Sequence, residues 1–389
     1  MKTKLIICCF CIFLMGCLKT KKPSDIDSNI AKLPIINIEG ALDNHSTESI
    51  QLSSFVSEIN CITLETNKNC LIGNRPYFFM TDNHIFYNEL MFDKNGKFVR
   101  KIGKIGKGPG EYVFARKVSI NEERREFYVY DNFQHRIMVY DLDNNFLKSF
   151  KVSELGDGLF PVGENYLLML YDRFQILPEI FDYCILDSNN GNIVRFKKSL
   201  GLKKLPVYTD CFALFHNVCW YYDSKLSYYE ILSDTIFQIM PDKEIPRYIV
   251  NLGKYKVPID KITSIKSGDE VLRIWSISES TNYLFFRIIT KGFKEYYGIF
   301  DKIKKDTRVM ESEKAFNNDI DGGPNYFFQN SITGNTGFFS LTPIELKKNL
   351  ILWNTENKNY NSIANSKFND FVSKLDDNQN HIIVLYTLK

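Results

Sequence analysis

The feature that most constrains this chain is a recurring polar turn. Phe92-Asp93 and Phe98 flank one copy, Tyr140-Asp141 and Phe146 flank another, and the copies lie 48 residues apart with identical internal spacing. A looser copy, Leu186-Asp187 with Asn190-Gly191 and Ile193, follows 46 residues later, and Phe300-Asp301 before Lys304-Lys305-Asp306 carries a fourth trace. Short apolar runs surround each copy. Asn and Gly tolerate positive φ and suit tight hairpins. One hairpin is marginal in water, so units of this size must stack on neighbours to bury their faces. A period of about 40–50 residues with several short strands per unit predicts propeller blades.

The stretch from Leu90 to Val152 carries the pattern most fully. Its segments Gly106 to Gly110, Phe127 to Asp131 and Asn132 to Asp141 resemble, in order, the NHL repeat. More widely, the chain resembles the six-bladed propeller lipoproteins common in Bacteroides-type bacteria. The matching pieces include Leu64-Glu65-Thr66, Leu71-Ile72-Gly73, Gly106 to Glu111, Ser233 to Phe237, Asn318 to Gly323 and Asp376-Asp377-Asn378. The expectation is an all-β fold: a six-bladed β-propeller with four-stranded antiparallel blades around a central channel. The resemblance carries little chemistry.

The N-terminus reads as an export signal, with Lys2 and Lys4 ahead of the apolar run Leu5 to Leu14. That run is too short to span a bilayer as a helix. Leu14-Met15-Gly16-Cys17 then reads as a lipobox. The predicted organisation is a signal peptide over 1–16, a lipidated tether over 17–33 beginning at Cys17, and a propeller domain over 34–389. Two or more acyl chains on Cys17 would anchor the protein stably. Lys19, Lys21 and Lys22 stand where surface lipoproteins of such bacteria often carry acids, which favours the periplasmic face of the outer membrane over the cell surface. Cys61, Cys70, Cys184, Cys211 and Cys219 remain in the mature chain, and an oxidising compartment permits, without requiring, a Cys61–Cys70 bridge.

Blade boundaries follow from the apolar alternation. The first blade is expected over about 58–103, with Cys61 to Leu64 as one of its strands, and the second over 115–152. The third covers 160–200, the fourth 207–252 and the fifth 274–310. The last is assembled from Phe327-Phe328, Gly337 to Leu341, Leu350 to Trp353 and His381 to Leu388. The early strand Ile35 to Ile38 is expected to complete the last blade and join the termini. Phe368, Phe371, Val372 and Leu375 recur at helical spacing and predict a short amphipathic helix.

Few residues announce chemistry. Gly103 and Gly108 have phosphate-loop spacing, but Pro109 and Gly110 stand where Lys and Ser/Thr are required, so the segment reads as an inter-blade connection. Lys97, Arg100, Lys101, Lys104 and Lys107 around it read as a solvated rim. With 49 Lys+Arg against 46 Asp+Glu, no global field favours nucleic acid. Asp319-x-Asp321-Gly322 lacks the late carboxylate of a calcium loop and reads as an Asx turn. No zincin motif or nucleophile elbow occurs. No catalytic residue, metal site or cofactor is assigned. The expected role is a non-catalytic binding or scaffold module of the envelope, linked to nutrient capture or envelope assembly, with a protein, glycan or peptide ligand in the funnel. The alternative is a hydrolase or lyase acting on a sugar, lactone or peptide there. Arg75, Arg116, Tyr208 and Trp275, near the starts of inner strands, are the candidate ligand contacts. The aromatic run Trp220-Tyr221-Tyr222 reads as blade core in preference to a ligand platform.

Overall fold

The computed structural model describes residues 32–44, 49–73, 77–152, 156–171, 181–199, 217–230, 232–258, 271–290, 292, 294–312, 315–321, 323, 331–356 and 363–389. The chain divides into Met1–Leu33 and Pro34–Lys389, and the architecture below is that of the second unit. It opens with β1 (Ile35–Asn37), helix α1 (Ile38–Asp43), the two-residue β2 (Ile50–Gln51) and β3 (Val56–Thr63). Blade 1 then takes β4 (Phe78–Met80), β5 (His84–Tyr87), β6 (Leu90–Asp93) and β7 (Phe98–Lys101). Blade 2 takes β8 (Ala115–Asn121), β9 (Glu126–Asp131), β10 (Arg136–Asp141) and β11 (Phe146–Lys151). Blade 3 takes β12 (Gly156–Val162), β13 (Tyr166–Tyr171), β14 (Phe181–Asp187) and β15 (Ile193–Lys198). Blade 4 takes β16 (Val218–Tyr222), β17 (Lys225–Tyr229), β18 (Thr235–Ile239) and β19 (Glu244–Asn251). Blade 5 takes β20 (Leu272–Glu279), β21 (Tyr283–Thr290), β22 (Glu295–Asp301) and β23 (Asp306–Glu311). After β24 (Phe316–Asn317) come β25 (Ser331–Thr333), β26 (Thr336–Leu341), helices α2 (Pro343–Glu356) and α3 (Ile363–Ser373), and β27 (Ile382–Leu388). Six four-stranded antiparallel meanders thus form the β-propeller.

The recurring Asp explains the meander locally. Asp93, Asp141, Asp187 and Asp301 each end the third strand of a blade. Asp93 Oδ1 accepts the amide N–H groups of Asn95 and Lys97, both at 2.9 Å. Asp141 accepts that of Asn145 at 2.8 Å, Asp187 that of Asn189 at 2.7 Å, and Asp301 those of Ile303 and Lys304 at 2.9 Å. Each carboxylate satisfies turn donors that the ladder leaves over. Asp131 does the same one hairpin earlier, accepting from Phe133 and, across to the incoming connection, from Val113 at 2.6 Å. The glycine segment is the connection between blades 1 and 2. Its Gly108 N–H is held by the Glu111 carboxylate at 2.9 Å, and Lys104 pairs with Glu111 on the surface.

Closure of the ring differs from the sequence expectation. Blade 6 has the order β25-β26-β27-β3, so Cys61 and its neighbours belong to the last blade, not the first. β27 is seven residues long, and eight-residue β3 pairs along all of it, from Ile382 with Thr63 to Leu388 with Val56. The three-residue β1 could not cover that edge. Instead it adds in parallel to β19, the outer strand of blade 4. It stops at Asn37, whose side chain caps α1 by accepting the Gly40 amide at 3.1 Å. Ile36, Ile38 and Leu42 then fill the apolar space shared by blades 4 and 5.

A second correction concerns Leu350 to Trp353, which lie in α2 and not in a strand. Thr342 and Glu345 form a capping box: each side chain accepts the other's backbone N–H, at 3.2 and 2.8 Å. Pro343 follows at the first helical position, where its missing N–H costs nothing. The helix with Phe368, Phe371 and Val372 is present as α3, and Phe368, Val372 and Leu375 pack with Leu346 and Leu350 under blade 6. Phe327 and Phe328 lie outside the described residues.

Between blades, carboxylates join neighbours. Glu126 holds Arg124 at 2.8 Å, and Arg124 reaches Asn165 of blade 3 at 2.8 Å. Glu244 of blade 4 takes Lys197 of blade 3 at 2.8 Å and the Tyr183 hydroxyl. Of the two residues read as a turn, Asp321 is one, accepting from Asn318 and Gly323, whereas Asp319 makes a long-range tie to Ser53 near the start of the domain. Cys61, Cys70, Cys184 and Cys219 are free thiols. Among the described residues no helix is long and apolar enough to cross a membrane.

Candidate functional site

The innermost strand of each blade borders the central channel. Large side chains there that keep accessible surface are therefore the candidates for ligand contact. On β16 the signal is clear. Trp220 is buried in the wedge between blades 4 and 5, while Tyr221, one residue on, keeps 38% of its surface. The pleat sends successive side chains to opposite faces. Tyr221 donates its hydroxyl to the Pro161 carbonyl of blade 3 at 2.7 Å and leans on Phe160, with ring centroids 6.3 Å apart.

Blades 1 and 4 stand opposite each other in a six-membered ring, yet their side chains sense one another. Tyr77, directly before β4, is pushed up to about 12, first by burial and then by Cys219 of blade 4. Tyr221 is raised further, by burial and then by Tyr77 and Cys219. Burial alone raises the Cys219 thiol. Tyr221 thus keeps accessible surface on the inner strand of blade 4, where a phenolate would be poorly hydrated. The Lys117 ammonium of blade 2 sits over the Tyr77 ring, 4.2 Å from its centroid. At neutral pH this group offers one cation, two protonated phenols, an un-ionised thiol and the face of Phe160. The Tyr221 proton is already committed to Pro161, so that phenol adds ring surface and an acceptor lone pair, while Tyr77 adds a hydroxyl. Burial disfavours the Cys219 thiolate, which is the reactive form of cysteine.

The sequence-predicted contacts fall as follows. Arg116 is exposed on β8 and Trp275 is exposed on β20, the inner strands of blades 2 and 5. Those blades are also opposite, so the two do not form one cluster. Arg75 and Tyr208, and the lipidation candidate Cys17, lie outside the described residues. Sequence reasoning missed Tyr77, Lys117, Phe160, Cys219 and Tyr221. They come from four blades and share no spacing. The one available signal was the ring-rich run at Trp220-Tyr221-Tyr222, where core and channel residues alternate.

Comparison with known proteins places the architecture. A family model described as a domain of unknown function, DUF4934, matches residues 33–387. A protein classed as exported from Bacteroides fragilis NCTC 9343 has a similar structure, with a TM-score of 0.66 and 17% identity over 91% of this chain and 99% of that one. A member of the DUF4221 family from Bacteroides vulgatus ATCC 8482 gives a TM-score of 0.51 and 10% identity, covering 86% of this chain and 97% of the other. At these identities the likeness is one of fold. No curated protein matches the sequence.

Proposed function

We propose that this chain, which belongs to the DUF4934 family, is a non-catalytic binding propeller of the bacterial envelope, anchored through lipid on Cys17 and taking a glycan or peptide in its central channel. The observation that carries the reading is the Lys117 ammonium of blade 2 over the Tyr77 ring of blade 1, with the exposed Tyr221 of blade 4 held on blade 3 through Pro161 and Phe160. A cation, hydrogen-bond donors and ring faces recognise hydroxyl-rich or amide-rich ligands, and protonated phenols and thiol favour holding over turnover. The export signal and lipobox at 1–17 support the envelope address, as does the exported class of the Bacteroides fragilis relative. The lysines after Cys17 favour the periplasmic face.

Calorimetric titration of the mature domain with envelope and dietary glycans and peptides tests the binding. Saturable uptake without product is expected, weakened by Tyr221→Ala and Lys117→Met. Product formation abolished by one channel substitution would overturn the reading in favour of an enzyme. Labelling cells with a clickable palmitate should mark the wild type and not Cys17→Ser, and an unlabelled wild type would remove the anchor. Protection from protease added to intact cells is expected for the periplasmic face.

A further inference from the structure

Blade 5 holds a second arrangement. A β-bulge between Ile274 and Ser276 shifts the register of β20 with β21 at Trp275. Bulges re-aim side chains, and here the indole keeps 40% of its surface. Arg273 lies against it, with the guanidinium carbon 4.0 Å from the ring centroid, and Arg287 of β21 approaches at 5.9 Å. The two arginines differ in their counter-charge. Arg287 is paired with Glu295. Arg273 is 3% exposed, and among the described residues no carboxylate pairs with it and no acceptor hydrogen-bonds it.

A nearly buried guanidinium without an acid is costly unless something neutralises it. Burial and then Arg287 pull Arg273 down to about 10, which leaves it cationic at neutral pH. Among the described residues the site therefore carries one uncompensated positive charge beside a partly open aromatic face.

We propose that Arg273, Trp275 and Arg287 form a seat for a monoanionic carboxylate borne on a ring, such as an acidic sugar or an aromatic acid, with the guanidinium fork taking the carboxylate and the indole taking the ring. One spare charge matches a carboxylate better than a dianionic phosphate. The fork geometry of arginine matches a planar oxyanion. This deepens the binding reading above and rests on ligand reaching the inner strands.

Titration of the intact mature domain with glucuronate, benzoate and inorganic phosphate, followed by tryptophan fluorescence and calorimetry, tests the seat. Saturation by at least one ring carboxylate, in preference to phosphate, is expected. Arg273→Met should weaken it by about 10- to 100-fold, the step that loss of a charge-assisted hydrogen bond carries. Trp275→Leu should abolish the fluorescence response and weaken the calorimetric one. Should Arg273→Met fail to fold, Arg273→Lys, which keeps charge but loses the fork, is expected to bind more weakly than the wild type. No saturation by either ring carboxylate, preference for phosphate, or unchanged binding in the folded arginine variant would overturn the proposal. Glycan or peptide binding with no carboxylate response sinks this seat alone, and the reverse result sinks only the channel reading.

Discussion

Arg247 of blade 4 and Glu279 of blade 5 form a two-point ion pair, with nitrogen–oxygen distances of 2.6 and 2.8 Å. The Glu279 carboxylate is fully buried and also takes Lys302 at 2.8 Å and the Trp220 indole N–H at 3.0 Å. Burial alone would raise Glu279, but Arg247 and Lys302 outweigh it and hold the carboxyl below the usual value of 4.5. The carboxylate at the foot of β20 thus fixes one blade to the next.

Glu279→Gln should leave two cations facing a neutral amide. Breaking a buried pair from one side costs about 3–5 kcal/mol, and a fall in the denaturation midpoint with an unchanged m-value checks it. In the wild type this contribution is present above about pH 4.5 and fades as pH drops through the lower folded-state value. An acid limb that is unaltered in the Gln variant would contradict the assignment.

His381, beside the Tyr87 ring at 5.5 Å, is held below its ordinary 6.5 chiefly by burial, which Glu345 only partly offsets. The unfolded chain then binds a proton that the folded chain refuses. Stability should fall as pH drops below 6.5. Melts between pH 7 and 5 should show a shallower decline in His381→Phe than in the wild type.

A chain ended after Asn380 loses β27, which lies between β26 and β3 with Ile382, Ile383, Val384 and Tyr386 fully buried. Each such side chain contributes about 1.5–3 kcal/mol. Loss of the cooperative thermal transition is expected by circular dichroism, and a melt matching the full chain would refute closure through this strand.

Gly103 occupies φ +66°, and a Cβ there would lie 2.7 Å from the rings of both Tyr112 and Tyr140. Both rings are packed and their hydroxyls are engaged by the Ile102 and Gly110 carbonyls. Gly103→Ala should destabilise by more than the roughly 1 kcal/mol that a backbone preference alone costs. Chemical denaturation gives the value.

Gly163 also has positive φ, at +59°, but nothing lies within 4 Å of a Cβ built on it. Gly163→Ala should therefore cost only the backbone preference, of order 1 kcal/mol. Measured beside Gly103→Ala, it separates steric clash from backbone strain.

Much of the wheel was legible in the chain. The Asp-containing turns at 93, 141, 187 and 301 bind their own backbone, so their chemistry is local and repeats visibly. The apolar alternation of β27 and the helical spacing from Phe368 to Leu375 depend on near neighbours in the same way. The capping box at Thr342 and Glu345 was equally local, and it outweighs the apolar run Leu350 to Trp353 that reads as a strand.

The blade unit and its turns were written in the chain, because each is specified by contacts within a few residues. Which strand closes the ring was settled by long-range packing, since β3 and β1 pair with edges about 200 or more residues away and the longer strand covers the β27 edge. Packing between blades also set the Lys117 ammonium over the Tyr77 ring and, among the described residues, gave Arg273 no carboxylate partner. Those relations arise between blades, where no periodicity in the chain records them.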